Sequence, residues 1–249
     1  MTKKNTRVYK ENININKKSV KLFWNKRAEK YTEDNPYKAV KCNDNDSEYA
    51  KLLDEYEKEV IIPKLKIDKN SKVLDIGCGV GRLAEMIVLD SKYYLGTDFA
   101  EDLLNIARKR IGCNNSYDFQ ICDFINIYDN EVVKSNASFN KVILSGVIMY
   151  INDEELNICF ENLLKVLDKE AMIYIASPIA TKERLTLDDF YSNELNSEYN
   201  VIYRTIDEYI DVFKVLINNG FKIIENEMFL TDKKQYKETE RHYFILKRG

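Results

Sequence analysis

The sequence predicts an α/β protein built on a mostly parallel sheet. Three observations carry that expectation. Val73-Leu74-Asp75-Ile76 is a short apolar run, followed at once by Gly77, Gly79 and Gly81 and then by an apolar helical pattern, Leu83, Ala84, Ile87 and Val88. This is strand, glycine turn and helix in succession. From there strand-like runs and helical patterns alternate, as units of a parallel sheet do. The chain then finishes in two β-rich runs, 221–230 and 242–247, which read as a hairpin.

Taken in order, the elements are these. Within residues 17–31, Val20, Phe23, Trp24, Ala28 and Tyr31 share one helical face, with Ser19 as the expected N-cap. Residues 37–46 read as loop, with Asn43-Asp44-Asn45-Asp46 inside it. A second amphipathic helix over 47–62 carries Leu52, Leu53, Tyr56, Val60 and Ile61 and stops at Pro63. After the glycine strand, 93–98 is a strand ending in Asp98, 100–111 a helix, and 117–121 a strand leading to Cys122-Asp123-Phe124. A fourth strand covers 139–144. Asn152 and Glu155 form a capping box for a helix whose face is Leu156, Cys159, Phe160, Leu163, Leu164 and Leu167. A fifth strand covers 172–176, before Ser177-Pro178. Residues 179–204 have no clean period and read as an insertion over the carboxyl edge of the sheet. Thr205 and Glu208 cap a helix that ends at Gly220, and a polar loop over 231–239 joins the last two strands. The expected division is a helical cover, 1–66, and a sheet domain, 67–249, with its insertion at about 179–204.

Composition narrows the class. The chain has 249 residues, 45% hydrophobic and 32% charged, with three prolines, so it holds a real core and no long disordered stretch. No apolar run reaches the length of a membrane span. Five cysteines, 42, 78, 113, 122 and 159, lack C-x-x-C spacing and lie near no histidine. That points away from a disulfide frame or a zinc site and towards a reducing cytoplasm. Net charge is −3, although the first thirty residues carry ten Lys/Arg (among them Lys3 and Lys4) against two acids. That arm reads as solvated surface.

Glycines after a strand let the backbone, and a helix N-terminus, approach a ligand. The dinucleotide pattern G-x-G-x-x-G/A fails when counted from Gly77, because Arg82 takes the last position. Counted from Gly79 it passes, through Gly81 and Ala84, but leaves an extra turn after the strand. Asp98 stands 17 residues beyond Gly81, where a carboxylate accepts both hydroxyls of a ribose.

The run Asp75-x-Gly77-x-Gly79-x-Gly81 resembles motif I of the class I S-adenosylmethionine (SAM) dependent methyltransferases. Phe23-Trp24-x-x-Arg27-Ala28-x-x-Tyr31 resembles the opening of small-molecule members, W-x-x-x-A-x-x-Y. Asp123-Phe124 matches the acid-hydrophobic pair found after their third strand. The resemblance implies a Rossmann-like sheet of seven strands, six parallel and one antiparallel, in the order 3-2-1-4-5-7-6, with helices on both faces. It implies that Trp24 covers the cofactor and that Arg27 or Tyr31 reaches the methionine carboxylate. Asp75, Gly77, Cys78, Gly79 and Gly81 form the loop, Asp98 and Phe99 meet the ribose end, Asp123 and Phe124 take the adenine, and the backbone at Ser145 meets the amino group. Tyr150 stands where many relatives carry His and is expected to shape the acceptor pocket.

The implied reaction is methyl transfer to a small polar acceptor, with S-adenosylhomocysteine (SAH) as product and no metal. The opening motif leans towards O-methylation of a sugar, nucleotide-linked or surface-polymer precursor. Tyr150, Tyr203, Arg204 and Arg241 are the expected acceptor contacts. The single histidine, His242, begins the antiparallel strand at the ligand-binding edge and is the candidate general base. Nucleic acid and membrane are not expected partners. The amino-methylating tetrad is replaced by Ser145-Gly146-Val147-Ile148, and the Pro-Cys pair of carbon-5 methylation by Pro178-Ile179. A nucleic-acid methyltransferase and a non-catalytic SAM-binding partner protein are the alternatives. A nicotinamide dehydrogenase would need a catalytic constellation that the sequence lacks.

Overall fold

The computed structural model describes residues 6–42, 44–230 and 236–249. Lys3 and Lys4 of the basic arm, Asn43 of the first loop, and 231–235 of the polar loop lie outside the described residues. The chain begins with β1 (Thr6–Tyr9), α1 (Lys17–Arg27), α2 (Lys38–Lys41) and α3 (Ser47–Tyr56). Strand and helix then alternate: β2 (Lys72–Ile76), α4 (Ala84–Ile87), β3 (Tyr93–Asp98), α5 (Glu101–Ile111), β4 (Tyr117–Ile121), α6 (Glu131–Ser135), β5 (Phe139–Ser145) and α7 (Asp153–Leu164). The remainder is β6 (Leu167–Ala180), β7 (Leu185–Ser192), β8 (Ser197–Tyr203), α8 (Ile206–Val212), α9 (Lys214–Ile217), β9 (Phe221–Met228) and β10 (Thr239–Arg248).

Seven strands form one sheet in the order β4-β3-β2-β5-β6-β10-β9. Only β10 runs antiparallel to its neighbours. This is the order and the single reversal that the resemblance implied. The apolar run of β2 is explained by its central place, where four of its five residues are buried. Two cores flank the sheet. One packs Leu156, Phe160, Phe213 and Phe244 beneath α7–α9, and the other packs Leu53, Leu104, Tyr174 and Ile245 beneath α3 and α5. No helix among the described residues is long and apolar enough to cross a membrane.

The insertion is not irregular. Strands β1, β7 and β8 form a second, antiparallel sheet. Leu187, Leu195, Tyr199 and Val201 of this sheet and its turn pack on Phe23 and Met149, so it roofs the carboxyl edge of the main sheet. Alternation at Leu185/Leu187 and Tyr199/Val201 was a period-two signal, but the register shifts between Leu187 and Phe190, with Asp189 at φ 48°. That bulge breaks the pattern a sequence reading depends on.

Other local expectations need correction. Asn16, not Ser19, caps α1, accepting from the backbone N–H of Lys18 and Ser19 at 3.0 and 3.3 Å. Asn152 makes no capping box. Its side chain bonds the backbone of Ile15 at 2.9 and 3.3 Å, and Glu155 pairs with Lys17. The Thr205–Glu208 box is present. A π turn over Glu57–Ile61 adds a residue to the second helix, so Ile61 is buried while Val60 is 42% exposed. The glycine-loop helix, α4, is one turn long.

Candidate active site

A cavity of about 440 Å³ lies at the carboxyl ends of β2, β3, β5 and β6, beneath the small sheet. Its volume suits a small-molecule site. Gly77, Gly79 and Gly81 have φ of 71°, 55° and 71°, so the loop bends through conformations that side chains resist. A Cβ at Gly79 would stand 2.7 Å from Val40, whose segment closes over the loop.

Asp98 completes the turn. Its two carboxylate oxygens accept from the N–H of Gly79 at 2.9 Å and of Ala100 at 2.8 Å. A carboxylate oxygen has two lone pairs, so each retains an accepting position for a ribose hydroxyl. Burial pushes its pKa up to about 6, against the backbone N–H groups that favour the charged form. Asp75, on the other side of the loop, accepts from Tyr94 Oη at 2.8 Å, and burial lifts it to about 7. These residues line the cavity together with Cys78, Phe99, Asp123, Phe124 and Ser145. The ring of Phe124 is buried and meets Phe160 edge-on in the core. Lys21 Nζ lies 3.5 Å from Asp123 and 5.6 Å over the ring of Phe99.

Four of the expected site residues do not line the cavity: Arg27, Tyr31, Gly81 and Arg204. The guanidinium of Arg27 is consumed within the fold. It bonds both oxygens of Asp44 at 2.8 Å and the carbonyls of Ala39 (3.1 Å) and Lys38. Tyr31 packs with Ala100 and Leu103, its ring under Arg110. A Cβ at Gly81 would meet Ala107 of α5 at 3.2 Å, a packing constraint. Arg204 is fully buried and bonds the carbonyls of Ile148 (3.0 Å) and Ile151 (2.7 Å) as well as Asp153. It braces the turn that carries Tyr150 instead of meeting an acceptor.

The acceptor end is aromatic. Trp24 meets Tyr150 edge-on at 5.3 Å, and Tyr150 Oη is 2.6 Å from Tyr199 Oη. Burial pushes both phenols well above the usual tyrosine range, so neither serves as a base. Tyr203 and Arg241 line the same end. His242 borders the cavity, but its ring lies 5.0 Å from Phe244, on the face turned to α8. Nε2 is bonded to Asn226, and Nδ1 is buried with no hydrogen-bond partner among the described residues. Burial also lowers its pKa, against Glu240 and Glu227. With Nε2 bonded and Nδ1 buried, the imidazole is poorly placed for the general-base role expected of it.

Sequence reasoning missed the charged floor. Glu57, wholly buried, accepts from Lys41 at 2.7 Å, Tyr174 Oη at 2.8 Å and Ser145 Oγ, and pairs with Arg82 at 2.6 Å. Burial opposes its charge, yet Arg82 and Lys41 outweigh that and hold it well below the ordinary glutamate range. Arg82 also bonds Asp54 at 3.0 Å and Ser145 at 2.9 Å. The signal was present: Glu57 falls four residues after Leu53, on the apolar face of its helix. Among the described residues no group of three or more His, Cys, Asp or Glu could hold a metal ion.

The glycine loop, the acid with spare lone pairs and the cavity between them fit an adenosyl cofactor. Comparisons agree. The phosphoethanolamine N-methyltransferase of Plasmodium falciparum is 25% identical over 194 residues, covering 75% of this chain and 70% of that protein. The ubiquinone biosynthesis O-methyltransferase of Pelagibacter ubique is 26% identical over 171 residues, covering 66% of this chain and 65% of that protein. A solved Haemonchus contortus phosphoethanolamine N-methyltransferase 1, in complex with phosphoethanolamine and SAH, superposes with a TM-score of 0.67 at 17% identity. It covers 93% of this chain, which spans 48% of that longer chain. The methyltransferase domain family is matched over residues 67–241, and the chain belongs to it as a SAM-dependent class I methyltransferase.

Proposed function

We propose that the chain methylates a small polar acceptor whose attacking atom is nucleophilic without a protein base, such as an amine or a carboxylate. One observation carries this reading: the phenols and the imidazole at the acceptor end, and the two glutamates at the cavity mouth, are engaged elsewhere. Tyr150 and Tyr199 share a hydrogen bond and are held protonated by burial. Of the His242 nitrogens, Nε2 is bonded to Asn226 and Nδ1 is buried. At the cavity mouth, Glu238 is taken by Arg7 and Tyr9, and Glu194 by Tyr236.

The bound cofactor supplies a sulfonium methyl that needs little activation. The chain's own residues supply placement. Asp98 and the glycine loop fix the adenosyl end, while Trp24, Tyr150 and the roof wall off water. As the acceptor atom bonds the methyl carbon, the carbon–sulfur bond breaks and SAH leaves. An amine then loses its extra proton to solvent. Orientation of this kind is worth on the order of 7–11 kcal/mol in favourable cases. The names of the phosphoethanolamine N-methyltransferase relatives support an amine acceptor.

Methylation of a hydroxyl, including the sugar-type acceptor expected from the opening motif, is the second reading. The name of the O-methyltransferase relative favours it. A panel of small amines, carboxylates and hydroxyl compounds with methyl-labelled SAM decides. Transfer confined to hydroxyls, with a pH-rate limb lost in a cavity variant, would overturn the first reading.

A further inference from the structure

Arg27 is spent on Asp44 and two carbonyls, so the methionine carboxylate needs another cation. The spent guanidinium points to it, because the carbonyls it grips belong to Lys38 and Ala39 of α2. That grip sets Val40 over Gly79 and turns the next residue, Lys41, into the cavity.

We infer that Lys41 receives the carboxylate of SAM and SAH, resting on the cofactor assignment above. Its side chain is 7% exposed and, among the described residues, its ammonium makes one hydrogen bond, to Glu57 at 2.7 Å. An ammonium has three donors, and leaving two of them unmet in a buried site is costly. A ligand carboxylate meets them with charge-assisted bonds. Glu57 also holds Ser145 at the end of β5, where the resemblance puts the cofactor's amino group, so Lys41 stands by that end. Three other cations of the cavity wall are committed. Arg82 is divided among Asp54, Glu57 and Ser145, Lys21 lies against Asp123, and Lys17 against Glu155. Burial and Arg82 lower the Lys41 pKa to about 8 against the pull of Glu57, and a second carboxylate would relieve that strain on its charge.

The test compares SAH with 5′-methylthioadenosine, which lacks the amino-acid group, by calorimetry on the full chain. Lys41→Met should weaken SAH by roughly 10- to 100-fold and leave 5′-methylthioadenosine within about twofold. Lys41→Gln, which keeps a donor towards Glu57, is the second variant should the first not fold, with the same expectation. Equal losses for both ligands, or no loss for either, would overturn the assignment. A parent chain that binds neither ligand would instead refute the cofactor reading itself.

Discussion

Replacing Arg27 by Met separates a fold role from a cofactor role. The guanidinium is 4% exposed and Asp44 9%, and the pair is bidentate at 2.8 Å on both arms. Removing the cation strands a buried carboxylate and two carbonyls, a change that typically costs about 3–5 kcal/mol. For a chain of this size that lowers the melting temperature by about 6–20 °C. The double variant Arg27→Met/Asp44→Asn should recover most of the loss, because the stranded charge is gone. Denaturant titration gives the stabilities. Calorimetry on the fraction that stays folded gives the ratio of SAH to 5′-methylthioadenosine affinity, which should stay at the parent value. A stability loss under about 1 kcal/mol, combined with a selective loss of SAH, would refute the reasoning and return the carboxylate to Arg27.

Asp98→Ala should weaken SAM by at least about 1.5–3 kcal/mol, the worth of one hydrogen bond to a charged acceptor. An unchanged calorimetric affinity would remove Asp98 from the ribose site. Because burial raises its pKa to about 6, above the unfolded value near 3.9, the carboxylate protonates as pH falls through 6. SAM affinity should therefore decline between pH 7 and 5 in the parent chain, and a flat profile would contradict this. Glu57 has the opposite sign. Its folded pKa lies far below the unfolded value near 4.3, so its stabilisation is present above that pH and lost as pH falls beneath it. Glu57→Gln should flatten the acid limb of the stability curve, as read by denaturant midpoints at several pH values. His242→Asn should leave turnover within about threefold; a loss of 10²-fold or more would restore it as the base.

The frame of the site was legible because its causes are local. Glycine positions, the acid at the end of β3 and the apolar runs are written within a few residues of where they act, and all seven main strands could be read. The small sheet was not, since a bulge at Asp189 interrupts its period and its third strand, β1, comes from about 180 residues away. Arg27 shows the limit of a motif. The spelling marks a guanidinium in this helix, but its target is decided by Asp44, which the sequence shows only as part of a polar loop. Glu57 showed only as an acid on the apolar face of its helix; its pairing with Lys41 needed the fold in hand, because an ion pair between separate segments leaves no periodic trace.

Purified chain is incubated with methyl-labelled SAM, first with small amines, carboxylates and hydroxyl compounds, then with RNA and DNA, and label is followed into each fraction. Transfer to a small amine or carboxylate is expected, with SAH formed in equal amount and no label in nucleic acid. Label in nucleic acid alone, or tight SAM binding with no transfer to anything offered, would contradict it.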